Sequence, residues 1–149
     1  MVIDVTVQFA TGNSELPEQE TFVRWVRESL TGIRDHAELA IRIVDEAESA
    51  RLNETYRDKS GPTNVLSFPA ELPAAVDLPQ LGDIIICASV VDKEAREQGK
   101  PSEAHWAHMV VHGLLHLLGY DHQQEKQAAE MEKFEAEILG RLGYPDPYT

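Results

Sequence analysis

The chain has 149 residues, of which 42% are hydrophobic and 26% are charged, and these values are typical of a soluble globular domain. The net charge of −13 counts against a broad nucleic-acid-coating surface, because a protein that binds a polyanion must neutralise phosphates. Ten of the 13 Lys and Arg residues lie between Arg24 and Lys100, so this part of the chain must supply any anion contacts. The single cysteine, Cys87, agrees with a reducing compartment and is expected to be a small buried hydrophobe. Without an apolar run that could span a bilayer or a basic-then-apolar leader, we expect a cytoplasmic protein with no membrane partner.

The pattern of apolar and polar residues predicts four strands and five helices. In chain order it predicts a strand over 2–9, a helix that opens at Pro17, a strand over 37–44, a helix from Asp45 to about Tyr56, a strand over 63–69, a strand over 81–89, a helix over about 90–98, a helix from Ser102 that Gly119 stops, and a helix over about 123–141. Asp45 and Glu48 resemble a capping box. The three prolines of segment 69–80 exclude a regular element there, and a connection without a helix permits an antiparallel pair of the third and fourth strands. The sequence therefore predicts one α+β domain over residues 1–149, with a mixed four-stranded sheet packed with helices.

Five of the six histidines fall between 105 and 122, and three of them form the motif "HGLLHLLGYDH". His112 and His116 are four residues apart on a predicted helix, so their rings lie on one face and can share a metal ion. Gly119 can adopt the left-handed conformation that turns the chain and brings back His122 as a third ligand. Three imidazole nitrogens leave one tetrahedral position open, as in catalytic rather than structural zinc sites.

The other histidines allow a second ligand set and several structural roles. His108 precedes His112 by four residues, but three ligands on one straight helix cannot wrap a single ion, so the set of 108, 112 and 116 ranks lower. His105 and His108 are expected to pack or to orient the ligands, and His36 is expected at the surface. Zinc is the expected metal, although nickel, cobalt or copper would also bind such a site.

Gly113 separates this motif from that of a zinc protease, which carries a glutamate after the first histidine. Zinc can lower the pKa of coordinated water from about 15.7 to about 7 and so provide a nucleophile. Amide hydrolysis also needs a group that protonates the leaving amine, and glycine cannot do so. A phosphodiester needs a cation against the charge on its phosphoryl oxygens instead, and Arg57 and Lys59 are candidates for that cation.

Three segments are very similar to the bacterial YbeY family of endoribonucleases, and the likeness runs from "IRIVDEAE" (41–48) to "LGYPDPY" (142–148). They are "LNETYRDKSGPTNVLSFP" (52–69), "LGDIIIC" (81–87) and "HWAHMVVHGLLHLLGYDH" (105–122). The resemblance implies a single-strand-specific, metal-dependent endoribonuclease that acts in maturation of the 3′ end of small-subunit rRNA and in ribosome quality control. It also implies a fold like that of zinc metalloproteases, with a metal-binding helix of that type.

The resemblance also assigns roles to residues. It implies one zinc ion on His112, His116 and His122, and Arg57 matches the family's functionally important arginine, expected to stabilise charge in the transition state. His112 is then both a ligand and a catalytic residue, while Ser60 replaces the acid of the family's "KD" pair, which puts any role of that acid in doubt. The residues alone leave further roles open. Thr63, Asn64 and Ser67 either contact the substrate backbone or cap the strand, and Asp83 and Asp121 either orient a histidine or satisfy a turn.

Two other functions remain open at this stage. A zinc-dependent peptide hydrolase fits the ligand spacing, and Gly113 argues against it. A non-catalytic ribosome-associated factor would use zinc to stabilise its last helix, and its acidic surface could dock a basic ribosomal protein. The expected partners are thus single-stranded or precursor rRNA and the ribosome or its proteins.

Overall fold

The computed structural model describes residues 2–70, 79–120 and 124–148. Its elements in chain order are β1 (Val2–Ala10), α1 (Gln19–Leu30), β2 (His36–Val44), α2 (Glu46–Arg57), β3 (Val65–Pro69), β4 (Gln80–Cys87), α3 (Ala88–Gln98), α4 (Ser102–Leu117) and α5 (Glu125–Leu142). All nine predicted elements are therefore present. The fourth strand ends two residues early, because the chain enters α3 directly after Cys87. Most of the proline-containing segment, residues 71–78, lies outside the described residues.

The four strands form one mixed sheet in the order β1-β2-β4-β3. β1 pairs with β2 and β2 with β4 in parallel, whereas β3 pairs antiparallel with β4. The apolar strand β4 is internal, as expected for a strand with both faces covered, and Cys87 within it is buried. The α+β class and the antiparallel β3–β4 pair are confirmed.

Helix α4 is the central helix of the core. Its buried residues include Trp106, Val110 and Leu114, and it contacts α1, α3, α5 and the two strands β3 and β4. Trp106 packs edge-on against Phe22 of α1, with the ring centroids 5.9 Å apart. Because apolar side chains surround this helix on most sides, any polar residue on it must find a partner or face an opening. Among the helices of the described residues, none combines the length and apolar character needed to cross a membrane.

The capping box predicted at the start of α2 is wrong. Asp45 makes no side-chain capping bond; its carboxylate accepts hydrogen bonds from the Thr11 hydroxyl and from the Gly12 backbone N–H, the latter at 3.4 Å. Glu48 accepts two hydrogen bonds from the Arg42 guanidinium of β2, at 2.6 and 3.0 Å. Both acids thus connect α2 to neighbouring elements instead of capping it.

Strand β3 is one edge of the sheet. Backbone hydrogen bonds from Cys87 to Asn64 and from Ala70 to Leu81 lie at the two ends of the β3–β4 pairing. Because hydrogen-bonded positions alternate along an antiparallel strand, the backbone groups of Leu66 and Phe68 also point at β4. Val65, Ser67 and Pro69 therefore direct theirs outward. The Val65 N–H donates to the Asn64 side-chain oxygen at 2.6 Å, and Pro69 has no N–H.

Candidate metal centre and cleft

A cleft of about 450 Å³ lies between the end of α2, the edge strand β3 and the last turns of α4. It is lined by Arg57, Thr63, Asn64, Val65, Ser67, Pro69, His112, His116, Gly119 and Tyr120. The fold thus brings together Arg57, His112 and His116, which the sequence places up to 59 residues apart. Gly119 has the left-handed φ of +100° expected for the turn. His122 and Asp121 lie outside the described residues.

The imidazoles of His112 and His116 face each other across one turn of α4. Their Nε2 atoms are 3.1 Å apart, and their ring planes are inclined by 78°. Two nitrogens bound to one tetrahedral zinc at about 2.0–2.1 Å would lie about 3.3 Å apart. The pair therefore fits a shared ion with a shift of a few tenths of an ångström.

Glu135 of α5 is fully buried and orients the histidines from behind. Its two oxygens contact His112 Nδ1 at 2.5 Å and His108 Nε2 at 3.0 Å. Burial alone would raise the pKa of Glu135, but hydrogen bonds from the two imidazoles and from the Tyr148 hydroxyl outweigh it and lower this pKa to about 2. An ionised carboxylate only accepts hydrogen bonds, so His112 carries its proton on Nδ1 and directs the lone pair of Nε2 at His116.

Tyr148, near the end of the described chain, completes this buried cluster. Its hydroxyl donates to Glu135, and its ring packs edge-on against His108 with centroids 5.5 Å apart. Burial, followed by the hydrogen bond to the Glu135 carboxylate, raises the pKa of Tyr148, so the hydroxyl keeps its proton at neutral pH. The last helix and the residues after it therefore fix the orientation of His112.

His108, His112 and Glu135 could together hold a metal ion, since one ligand atom of each lies within 4.8 Å of the others. In this arrangement, however, the carboxylate oxygens point directly at imidazole nitrogens at hydrogen-bonding distances. An ion at this position would have to break both contacts, whereas an ion between His112 and His116 would preserve them. The donor set thus favours the cleft side of His112, with Glu135 as the outer partner of the ligand.

The segment that follows Arg57 is anchored to α2 by buried side chains. Asp58 ends the helix in the left-handed conformation, with φ of 57°. The Asn53 amide donates to the Gly61 carbonyl at 2.9 Å. The Ser49 hydroxyl binds both the N–H and the C=O of Thr63 at 3.0 Å. This anchoring fixes the backbone on both sides of the exposed Arg57 and Lys59 side chains.

The sequence left open the roles of the polar residues around β3, and the structure gives their contacts. The Asn64 side chain accepts from the Val65 N–H and donates to Glu94 of α3 at 3.1 Å. The Ser67 hydroxyl donates to the Gly113 carbonyl at 3.0 Å, which joins β3 to α4. Asp83 is exposed, and it lines a groove in the sheet with Arg42 instead of the cleft.

Gly113 lies at the closest approach of α4 to the sheet. A Cβ at this position would lie 2.9 Å from Ile84 Cγ2, 3.2 Å from Ser67 Oγ and 3.3 Å from Val65 Cγ2. Ile84 is fully buried in the close-packed core, so a shift of its side chain would disturb its neighbours. The absence of a glutamate after His112 therefore has a packing cause in addition to its chemical consequence.

His105 and His36 are located as the sequence predicts. His105 is buried, and its Nε2 lies 2.9 Å from a carboxylate oxygen of Glu94. His36 is exposed at the start of β2. Neither residue lines the cleft described above.

The sequence analysis missed Glu94, Glu135 and Tyr148 as partners of the histidines. One signal was available for Glu135, because it is the charged member of the otherwise apolar stripe of α5, where an unpaired carboxylate would be costly. Glu94 and Tyr148 have no comparable signal, since their contacts depend on how α3 and the end of the chain pack against α4.

Two facing imidazoles, a buried carboxylate behind them and an arginine across a cleft define a candidate site for hydrolysis of an anionic substrate. A family model described as Endoribonuclease YbeY matches residues 7–143, so the chain belongs to the YbeY family. The solution structure of TM1509 from Thermotoga maritima is similar, with 26% identity and a TM-score of 0.60. That match covers 93% of this chain and 92% of the other. Family membership implies an endoribonuclease with a role in rRNA processing.

Proposed function

We propose that the protein is a single-strand-specific endoribonuclease that holds one zinc ion on His112, His116 and His122 and binds the scissile phosphate beside Arg57. Residues 1–149 form the one catalytic domain in this proposal. The observation that carries it is the 3.1 Å separation of the His112 and His116 Nε2 atoms in a cleft that Arg57 also lines. His122 enters as the third ligand from the motif spacing alone.

The histidines would supply neutral nitrogen ligands whose orientation the protein fixes in advance. Glu135 accepts the Nδ1–H of His112 and so keeps Nε2 available for the metal. Zinc, when bound, supplies a Lewis acid that activates water or polarises a phosphoryl oxygen at neutral pH. Nickel, cobalt and copper fit the same nitrogens, so the metal must be measured.

Arg57 would stabilise the negative charge that builds up on the phosphoryl oxygens. Its guanidinium is always charged and can donate two parallel hydrogen bonds to two phosphate oxygens from one planar fork, a geometry that lysine lacks. The anchoring of the chain by Asn53 and Ser49 limits how far the Arg57 backbone can move. Removing a cation or donor of this kind typically lowers kcat about 10²–10³-fold.

Gly113 supports a phosphodiester rather than a peptide substrate. A peptide hydrolase needs a proton donor for the leaving amine, and the 2.9 Å approach of Ile84 disfavours a larger side chain at this position. We further propose that the natural substrate is precursor small-subunit rRNA in the cytoplasm, cleaved near its 3′ end on ribosomal particles and as part of their quality control.

The decisive experiment measures RNA cleavage and bound zinc for the wild type, Arg57→Ala and His116→Ala. With an unstructured oligoribonucleotide, we expect Arg57→Ala to keep about one zinc per chain while kcat falls about 10²–10³-fold. We expect His116→Ala to lose both zinc and cleavage. Precursor rRNA then serves as the second substrate, to locate the cleavage site.

Arg57→Lys and casein are the controls. Lysine keeps the charge without the bidentate geometry, so partial activity of Arg57→Lys would assign the remainder to geometry. Full RNA cleavage by Arg57→Ala would refute the role of Arg57. Cleavage of casein but not of RNA by the zinc-loaded wild type would refute the nuclease.

A further inference from the structure

A second groove, of about 520 Å³, lies on the sheet face opposite α4. Its apolar part consists of Ala40, Leu52, Tyr56, Phe68 and Ile85, and its polar rim consists of Gln8, Arg42, Glu48 and Asp83. Tyr56 is 65% exposed, and its ring meets Phe68 edge-on with the centroids 5.2 Å apart. Little of the stability of the fold depends on so exposed a ring, so the Tyr56 ring is available for a ligand, while Phe68 packs against the buried cluster beneath it.

This groove and the cleft share two segments of the chain. Tyr56 directly precedes Arg57 at the end of α2, and Arg57 lines the cleft. Phe68 lies between Ser67 and Pro69, which also line the cleft. Because successive strand residues point to opposite faces, the two sites lie back to back across the edge strand β3. A single strand of RNA that leaves the cleft over this edge would arrive at the aromatic pair.

We propose that Tyr56 and Phe68 form a stacking subsite for one unpaired nucleobase of the RNA strand whose scissile phosphate lies in the cleft. This inference rests on the proposed function and adds a determinant of single-strand specificity. A base within a duplex is already stacked on its neighbours and is not available to an aromatic ring, whereas an unpaired base is. Stacking also tolerates any base, because every base presents a flat face.

The charges in the groove favour a base over a phosphate. The Arg42 guanidinium donates to both oxygens of Glu48, at 2.6 and 3.0 Å, so its charge is already compensated. Asp83 adds a negative charge at the rim. A phosphate would meet no uncompensated cation among these lining residues, whereas the edge of a base carries both donors and acceptors and so matches a rim that holds both Arg42 and Asp83.

The size of the groove favours a base over a protein partner. A stable protein interface buries about 800 Å² per partner and 20–30 residues a side. The apolar floor here is formed by only five side chains, which matches one planar ring system. The groove adjoins the Arg57 side of the cleft. The base that stacks there would therefore belong to the part of the RNA strand next to the phosphate bound in the cleft.

The test compares Tyr56→Leu with Tyr56→Phe in the zinc-loaded protein on an unstructured oligoribonucleotide. Leucine keeps an apolar side chain and removes the aromatic face, whereas phenylalanine keeps the face and removes only the hydroxyl. We expect Tyr56→Leu to raise KM about 5- to 100-fold with little change in kcat. Tyr56→Phe should resemble the wild type, and thermal unfolding should be similar for all three proteins.

An abasic substitution at each substrate position in turn locates the stacked base. At one position we expect the loss of the base to raise the KM of the wild type as much as Tyr56→Leu raises the KM for the intact substrate. With the substrate that is abasic at this position, Tyr56→Leu should raise KM no further. An unchanged KM in Tyr56→Leu, with normal cleavage by the wild type, overturns the stacking subsite alone and leaves the groove to a protein partner. No RNA cleavage by the zinc-loaded wild type overturns the proposed function, and this inference with it.

Discussion

The four histidines of α4 form two pairs that share one helix and differ in their surroundings. His105 and His108 are buried, and each places Nε2 against a carboxylate, of Glu94 and Glu135 respectively. His112 and His116 are less buried and turn their Nε2 atoms toward each other at the cleft. The comparison shows that a position on α4 does not by itself determine the role of a histidine. The neighbouring elements α3, α5 and β3 decide which nitrogens meet a buried carboxylate and which face the cleft.

Replacement of Glu135 is expected to have the largest effect on the two pairs, because Glu135 contacts one histidine of each pair. In Glu135→Gln the side chain keeps one acceptor oxygen for the His108 and His112 N–H groups and the Tyr148 hydroxyl, so it can no longer accept from all three. We expect zinc affinity to fall about 10- to 100-fold, as measured by competition with a chelator.

Glu94→Gln is the matched control for this variant. Glu94 contacts His105, outside the cleft, and Asn64 in the cleft wall, and none of its described hydrogen bonds reaches His112 or His116. We therefore expect Glu94→Gln to keep a zinc affinity near that of the wild type. Equal losses in the two variants would contradict the division of the histidines into two pairs.

Gly113 tests whether the cleft pair depends on close packing of α4 against the sheet. Alanine normally stabilises a helix interior by about 1 kcal/mol relative to glycine. At Gly113 the contact with Ile84 at 2.9 Å opposes this gain, and we expect a net loss of about 1–2 kcal/mol in the free energy of unfolding.

Denaturant titration measures this loss, with Gly140→Ala of α5 as control. Among the described residues, apart from its chain neighbours and the backbone of its own helix, no atom lies within 4 Å of the position that a Cβ would take at Gly140. Alanine there should therefore raise the stability. A stabilised Gly113→Ala protein would remove the packing explanation for the missing glutamate.

The smallest expected effect is that of replacing His105, and it concerns the pH dependence of the stability. Burial lowers the pKa of His105 and outweighs the opposing effect of Glu94. The unfolded chain then binds a proton near pH 6.5 that the folded chain does not bind, so the stability falls as the pH drops below about 6.5.

Zinc-free protein is unfolded thermally between pH 7.5 and 5 to measure this slope. We expect a shallower slope in His105→Gln than in the wild type, and the wild-type slope in His36→Gln, in which an exposed histidine is replaced. Identical slopes in wild type and His105→Gln would show that burial of this ring contributes nothing to the pH dependence.

The sequence predicted those parts of the molecule that depend on local pattern. The period of the apolar residues gives the nine elements, and the i,i+4 spacing gives the facing rings of His112 and His116. The capping box failed because Asp45 and Glu48 found better partners in Thr11 and Arg42 once the sheet had formed.

Glu135 was missed for a related physical reason. Its contact with His112 depends on the rotation of α5 against α4, and side-chain packing across the helix interface sets that rotation. The sequence of α5 gives its apolar stripe but not the residue of α4 that each side chain meets. The cleft position of Arg57 likewise required the fold, since only the resemblance singled it out from other cations at helix ends.

The backbone of the edge strand β3 has a consequence for the protein in concentrated solution. Strand edges that offer alternating donors and acceptors template the addition of strands from other molecules and so promote aggregation. Of the three residues that point outward, Pro69 has no donor and Val65 has already given its donor to Asn64. Ser67 is left as the one outward N–H along Val65–Pro69. The cleft can therefore stay open beside this edge at little risk that a second molecule extends the sheet.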